Sequence, residues 1–303
     1  MVIYEILKSI LMGIVQGITE WLPISSTGHM LLFDEFIHMT VSTVQERNKD
    51  FFDFFKVFIQ LGSILAVLVL YFRKLNPFSR KKSAEERGQT LSLWLKVLIA
   101  SVPAGIVGVS SLNRRSVFCR FLFDDAIDGV LSTPYVIAAT LILYGFLFLW
   151  LENSKRQPRI HNFSQMDYKT ALLIGACQML ALIPGTSRSG ATILGAVFLG
   201  ASRYVAAEFS FFMAIPAMLG GSAIRLLKFA LESGEKYGSQ YSALFSGLEW
   251  AVLLTGFVVA FLVSMAVIRF LISFIKKHDF KPFGYYRIAL GVLVVIYFGF
   301  IMR

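Results

Sequence analysis

Apolar residues in this chain come in long runs separated by short polar stretches. Six runs are long enough to cross a bilayer as helices, which takes about 20 residues: 51–72, 91–111, 132–151, 204–227, 249–273 and 283–302. Two regions break the pattern. Between 166 and 202, apolar stretches at 171–183 and 193–199 flank Pro184-Gly185-Thr186-Ser187-Arg188-Ser189-Gly190-Ala191-Thr192. Each flank is too short to span, and Pro184 with two glycines rules out one continuous helix. The pattern predicts a helix, a loop and a helix that dip into the membrane and return to the same face. Non-helical backbone survives at that depth only where it is buried in protein or lines a cavity. An arginine there marks a functional site that has a partner for it. Residues 1–37 predict a second such dip: a short helix, a polar loop from Pro23 to His29, and a short apolar piece.

The two loops echo each other. A shift of 162 positions sets Gly13 on Gly175, Gln16 on Gln178, Ser25 on Ser187, Thr27 on Ser189 and Gly28 on Gly190, with Arg188 opposite Ser26. Pro23 and Pro184 fall one place apart. Five matches within sixteen columns, centred on both loops, argue for an internal repeat. Repeat 1 takes 1–151, with a re-entrant unit at 1–37 and the first three spans. Repeat 2 takes 166–303, with a re-entrant unit at 166–202 and the last three.

Composition agrees. Of 303 residues, 56% are hydrophobic and 16% charged, and the mean hydropathy is +0.67. This is the profile of an all-α polytopic membrane protein forming a single integral domain. The net charge of +10 does not point to nucleic acid, because Lys and Arg collect in loops. The loops 73–96, 152–169 and 269–281 hold 15 of them, and the alternating set of tails and loops (1–50, 112–131, 229–248 and 303) holds 8. The positive-inside rule puts the richer set in the cytoplasm and both termini outside. Three spans per half is an odd number, so the halves enter from opposite sides. Inverted-topology repeats bring broken-helix sites together near the midplane. Cys119 and Cys177 make neither a disulfide framework nor a metal-ligand spacing. Glu5 precedes Lys8 and no small-residue cleavage site follows, so the N-terminus does not read as a cleaved signal.

The loops carry the chemistry. Ser187, Ser189 and Thr192 offer hydroxyls, and Arg188 offers a planar fork matched to phosphate oxygens. Gly190 permits close backbone approach at the start of a helix, whose amides favour anions. A small-residue packing face would need Gly and Ser, but not a mid-membrane Arg. In the first loop, Gln16 and Glu20 share a helix face, and Glu20 lies close to Ser25, Ser26, Thr27 and His29. A carboxylate, a hydroxyl and an imidazole can serve as metal ligand or base, nucleophile and general acid. A wet interfacial carboxylate and a hydrogen-bonded structural histidine are the plain alternatives. Glu208 and Arg225 in the fourth span, and Asp53 and Lys56 near the start of the first, either pair, line the cavity or sit at an interface. Asp124, Asp125 and Asp128 suggest a solvated external loop. Lys81-Lys82 and Lys276-Lys277 read as topology determinants beside anionic lipid.

With these residues in view, the chain resembles the undecaprenyl-diphosphate phosphatase family of the bacitracin-resistance type. That family carries Glu/Gln-x-x-x-Glu, then Pro-x-Ser-Ser-Thr-Gly-His, and later Pro-Gly-x-Ser-Arg-Ser-Gly-x-Thr. Here these are Gln16–Glu20, Pro23–His29 and Pro184–Thr192, and the likeness extends through 58–66 and 201–216. The resemblance implies a bacterial inner-membrane enzyme with an outward-facing active site. It implies hydrolysis of a polyprenyl diphosphate to the monophosphate that carries cell-wall precursors, dependence on a divalent cation (Mg2+ or Ca2+), and a homodimer. In those terms Arg188 clamps the diphosphate, and Gln16, Ser25, Thr27, Ser187, Ser189, Gly190 and Thr192 bind it. Ser26 is the nucleophile unless water attacks directly. His29 moves the proton, and Glu20 binds the cation or orients His29. The competing class is a transporter or lipid flippase on the same inverted-repeat plan. It needs the anion site, but has no use for a nucleophile and a proton carrier.

Overall fold

The computed structural model describes residues 2–42, 45–112, 131, 133–154, 156–237 and 245–301. Among them the protein is helical, with one isolated bridge between Ile160 and Ala201. The α-helices among the described residues are, in order, α1 Val2–Thr19, α2 Ser26–Phe36, α3 Gln45–Leu70, α4 Phe72–Leu75, α5 Ala84–Leu112, α6 Pro134–Asn153, α7 Tyr168–Gln178, α8 Arg188–Phe198, α9 Arg203–Tyr237, α10 Gly247–Ile275 and α11 Lys281–Ile296. Seven of these regions are long and apolar enough to cross a membrane. Six coincide with the runs read from the sequence. The seventh is α1, whose 18 residues make it longer than the short dip expected there. Its partner in sequence, α7, extends by a 3-10 turn to Leu182 and stays below spanning length.

Local chemistry explains where the helices start. Pro134, with its φ preset, opens α6 at the first helical turn, and the Thr133 hydroxyl accepts from the Val136 amide. Asp167 caps α7, and hydrogen bonds from Thr170 hold its carboxyl below the usual range. Ser246 and Glu249 form a reciprocal capping box on α10.

The helices pack through small residues, as lipid-immersed helices do where no aqueous hydrophobic effect drives them together. α1 lies on α10, and a Cβ on Gly13 would meet the Gly256 carbonyl oxygen at 2.8 Å. α7 lies on α5, where a Cβ on Gly175 would collide with the Ala100 carbonyl. α3 meets α10 across Gly62, where an added Cβ would collide with the Phe257 carbonyl. α6 and α11 form the most extensive pair, with Gly145, Gly284 and Gly291 in the contact. The largest core surrounds α9, where Phe209, Phe211 and Phe212 are fully buried.

Ion pairs brace the ends. Arg47 on α3 makes a bidentate contact with Glu249 on α10, both bonds 2.8 Å and both side chains buried. Lys74 pairs with the buried Glu208 at 2.5 Å, and Arg203 pairs with Glu152. Asp53 and Lys56 form a local pair at 2.8 Å. Asp124, Asp125, Asp128, Cys119, most of the 112–131 loop and the side chain of Arg225 lie outside the described residues.

These close approaches give a test by substitution. Gly62→Ala and Gly175→Ala each set a methyl against backbone and should each cost about 1–3 kcal/mol. Gly105→Ala, on α5 with nothing within 4 Å of the added methyl, should be neutral or gain about 0.5–1 kcal/mol. Thermal unfolding of the purified variants in detergent measures this. Equal melting temperatures for all three would show that the contacts are not tight.

Candidate functional site

The two polar loops meet. Each ends on a serine that caps the helix after it: Ser25 caps α2, Ser187 caps α8, and each hydroxyl accepts from the amide three residues on (Gly28 and Gly190) at 3.2 Å. Both serines have positive φ, 73° and 70°. Side chains rarely tolerate that region, and holding one there costs ~1–3 kcal/mol. Among the described residues, these are the only non-glycine positions with positive φ.

Three contacts join the loops. Arg188 Nη2 donates to Glu20 Oε1 at 2.9 Å. The Ser189 hydroxyl donates to the Leu22 carbonyl at 3.3 Å. Arg287 on α11 spans both, donating from Nη1 to the Pro23 oxygen at 3.2 Å and from Nη2 to the Gly185 and Thr186 oxygens at 2.8 and 3.0 Å. Arg287 is fully buried, and its guanidinium also lies 5.2 Å from the Tyr144 ring centre. A Cβ on Gly190 would come 2.9 Å from Arg287 Nη1. The close approach that this glycine permits is therefore that of the arginine.

Around Arg188 the donors are held in place. Nη1 donates to the Ser210 carbonyl at 3.0 Å, and the guanidinium sits 5.9 Å from the Trp21 ring centre. Its Nε is buried without an acceptor among the described residues. Glu20 is fixed from its other side by the Gln16 amide, at 3.0 Å from Oε2. The Gln16 amide thus braces Glu20. Thr192 is fully buried, and its hydroxyl meets Ser210 Oγ at 2.6 Å and the Arg188 carbonyl at 2.9 Å. These contacts make it a tie between α8 and α9, behind the loop. Ser187 and Ser189 touch through their hydroxyls at 3.2 Å.

The first loop separates its hydroxyls. Ser25 is completely buried and committed to its cap. Ser26, the first residue of α2, is half-buried, and its hydroxyl has no hydrogen-bond partner among the described residues. The Thr27 side chain lies outside the described residues. His29 is three residues beyond Ser26, on the same helical face. Its Nδ1 is 2.7 Å from the Ser25 carbonyl, which can only accept, so Nδ1 carries a proton. Nε2 lies 2.7 Å from the Tyr286 hydroxyl, which donates to it when the imidazole is neutral. Such a ring keeps its basic nitrogen on the Tyr286 side.

Sequence reasoning missed Arg287, Tyr286 and Ser210. A signal existed for two of them. Arg287 is an ionisable residue inside an apolar span, which is a functional flag by itself, and Ser210 is a hydroxyl inside an apolar run. Nothing local distinguished Tyr286 from an interfacial tyrosine.

The donor set bears on a cation. Among the described residues, no three His, Cys, Asp or Glu side chains cluster. The loops do not build a protein cage. Glu20 is the carboxylate at the junction that could hold a hard divalent ion, and its two oxygens are engaged by Arg188 and Gln16.

Residues 9–293 match the family described as bacitracin resistance protein BacA. The chain is similar to undecaprenyl-diphosphatase 1 of Clostridioides difficile (strain 630), with 53% identity covering 97% of this chain and 96% of that one. It is 50% identical to an undecaprenyl-diphosphatase of Acetivibrio thermocellus, covering 97% and 98%. An undecaprenyl-diphosphatase of Lactiplantibacillus plantarum is 51% identical, covering 98% and 99%.

The joint between the loops can be tested at Arg287. Arg287→Met leaves three buried carbonyls without their donor and should cost ~3–5 kcal/mol, lowering the melting temperature by about 10 °C. Arg287→Lys keeps the charge but cannot fork across three oxygens, and should fall between. A melting temperature unchanged in Arg287→Met would mean that the loops are held together by other contacts.

Proposed function

The chain belongs to the BacA family of bacitracin resistance proteins, and from that membership and the joined loops we propose that it is an undecaprenyl-diphosphatase. It hydrolyses undecaprenyl diphosphate to the monophosphate and inorganic phosphate. This returns the lipid carrier to cell-wall synthesis and confers resistance to bacitracin. The observation that carries the site assignment is the Glu20–Arg188 pair. It ties together two loops from opposite halves of the chain, one carrying the fork of donors and the other the free Ser26 hydroxyl.

In the reaction, Arg188 turns from Glu20 and Ser210 to the terminal phosphate, whose oxygens accept from its fork, including Nε. Ser187, Ser189, the Gly190 turn and the amides opening α8 support the same anion. The amides opening α2 face the phosphate from the other loop. Ser26 Oγ attacks the terminal phosphorus. The new O–P bond forms as the bond to the bridging oxygen breaks, and polyprenyl monophosphate leaves. His29 takes the serine proton at Nε2. Water then cleaves the phosphoserine, releasing phosphate and restoring the hydroxyl. Ser25 and Thr192 keep the loops in shape, and Thr27 borders the diphosphate. A divalent cation, Mg2+ or Ca2+, would be held by Glu20 and the diphosphate and would offset phosphate charge. Positioning and charge stabilisation carry most of the acceleration in such transfers.

The fold reading extends this. Two inverted repeats, each a re-entrant pair with three spans, are supported by the matched packing of α1 on α10 and α7 on α5. The two serine caps at the same offset support them too. In this arrangement α1, despite its length, dips and returns. The Lys/Arg bias places the termini and the active site outside the inner membrane.

Phosphate release from purified protein in detergent tests the chemistry, since a flippase has no turnover without two compartments. Arg188→Lys should lose most activity and Arg188→Ala at least as much. Ser26→Ala should fall far below Ser25→Ala. Losses limited to binding hydroxyls are roughly ten- to hundredfold. Excess chelator should abolish release, and added Mg2+ or Ca2+ should restore it. Near-normal release from Arg188→Ala would remove the clamp, and equal modest losses at both serines would favour direct attack by water.

Orientation has its own test. With the native cysteines replaced, a cysteine at Ser83 should resist an impermeant thiol reagent in intact cells. One at Ser242, outside the described residues, should react. The reverse labelling would invert the orientation and the side of catalysis.

A further inference from the structure

Away from the two loops, a cavity of about 560 Å³ opens among α4, the turn after it, the first turns of α5 and the 162–164 turn. Three lysines line it, Lys74, Lys82 and Lys96. Each stem is anchored. Lys82 Nζ donates to the Lys74 carbonyl at 2.9 Å and to Thr90 Oγ1 at 2.7 Å. Lys96 Nζ donates to the Phe163 carbonyl at 2.7 Å. Lys74 is neutralised by Glu208 and lies 4.7 Å from the Phe163 ring centre. Lys82 and Lys96 have no carboxylate within ion-pair distance among the described residues. Glu86 also lines the cavity, but its carboxylate is turned to the Ser83 amide at 2.7 Å.

Lys96 makes this more than a solvated basic face. It is 5% exposed, and one of its three ammonium hydrogens has an acceptor. Burying an ammonium without a counter-charge is costly. Lys96 Nζ also lies 5.6 Å from the Tyr168 ring centre, and Lys82 and Lys96 line the same space. We propose that this cavity is a second anion site, which takes the phosphate group of an anionic phospholipid headgroup. Three observations favour lipid over free phosphate. Leu91, Leu95 and Leu98, each about half-exposed, form an apolar stripe on α5, around the helix from the face that lines the cavity, where acyl chains can lie. Trp94 is pinned next to it by a 2.7 Å bond from its indole to the Leu75 carbonyl, and Phe78 stands exposed in the adjoining turn. The cavity also sits in the lysine-rich loops 73–96 and 152–169, the side where positive charge meets anionic lipid. The site uses none of the residues assigned to diphosphate hydrolysis.

The test is thermal unfolding of the full-length protein in neutral detergent. The additives are phosphatidylglycerol, phosphatidylcholine, or inorganic phosphate at matched ionic strength. Phosphatidylglycerol near saturation should raise the melting temperature by about 5 °C, and phosphatidylcholine should not. Lys82→Gln should lose about half of that shift, and Lys82→Gln with Lys96→Met should lose all of it. Both variants should keep phosphate release, which also shows that they fold. If the double variant is too unstable to purify, Lys82→Gln alone decides, since the Lys82 side chain is only partly buried. An equal shift with phosphatidylcholine, or a full shift retained in Lys82→Gln, overturns the site. A full shift from inorganic phosphate alone overturns the lipid assignment.

Discussion

A guanidinium cannot lose its charge inside a protein, so one buried to zero exposure has to be solvated by fixed dipoles. Arg287 is solvated by three carbonyl oxygens, those of Pro23, Gly185 and Thr186, and by the face of Tyr144. One side chain on the last helix thereby holds two loops from opposite halves of the chain. The carbonyls gain as well. Chain breaks between buried helices leave backbone oxygens that no helix can satisfy. The arginine and the broken helices are each tolerable because the other is present.

Once the loops are held, the rest of the site follows over short distances. The serine caps keep positive φ angles that α2 and α8 alone would not select, and the surrounding contacts hold them there. The helices then start with their amides at the junction, adding positive potential without further charged side chains. Arg188 rests on Glu20, and Gln16 holds Glu20 from behind. In the proposed reaction, a phosphate entering this junction meets an arginine that is oriented but not locked, since both oxygens it contacts can be exchanged for those of the ligand.

Packing sets how rigid that junction can be. α1 and α7 carry the approaches to the loops, and each is locked to a long helix through glycines whose replacement would collide with backbone. Small residues matter here because lipid competes equally for apolar side chains, and close backbone approach is where helix–helix contact gains. The aromatic core around α9 backs Arg188 through Trp21 and Phe211, whose rings meet edge-on at 5.2 Å.

By itself the sequence determined the class, the helices and the chemistry on offer. Run length and hydropathy are local quantities that lipid reads directly, so all six expected spans begin within about two turns of the helices that form. The echo between the loops also named Ser25 with Ser187, and Gly28 with Gly190, which are the capping pairs found. Three things came only from tertiary structure. The sequence could not assign different duties to Ser25 and Ser26, because burial and cap geometry distinguish them. Nor could it show that Ser210 and Glu20 take up the polar groups of Thr192 and Gln16 across space. And it could not recruit Arg287 or Tyr286, at the far end of the chain from the first loop, because a partner's identity at such separation depends on which helix the fold sets alongside. Periodicity and motif spacing carry no information about that choice; the packing of α11 on α6 makes it.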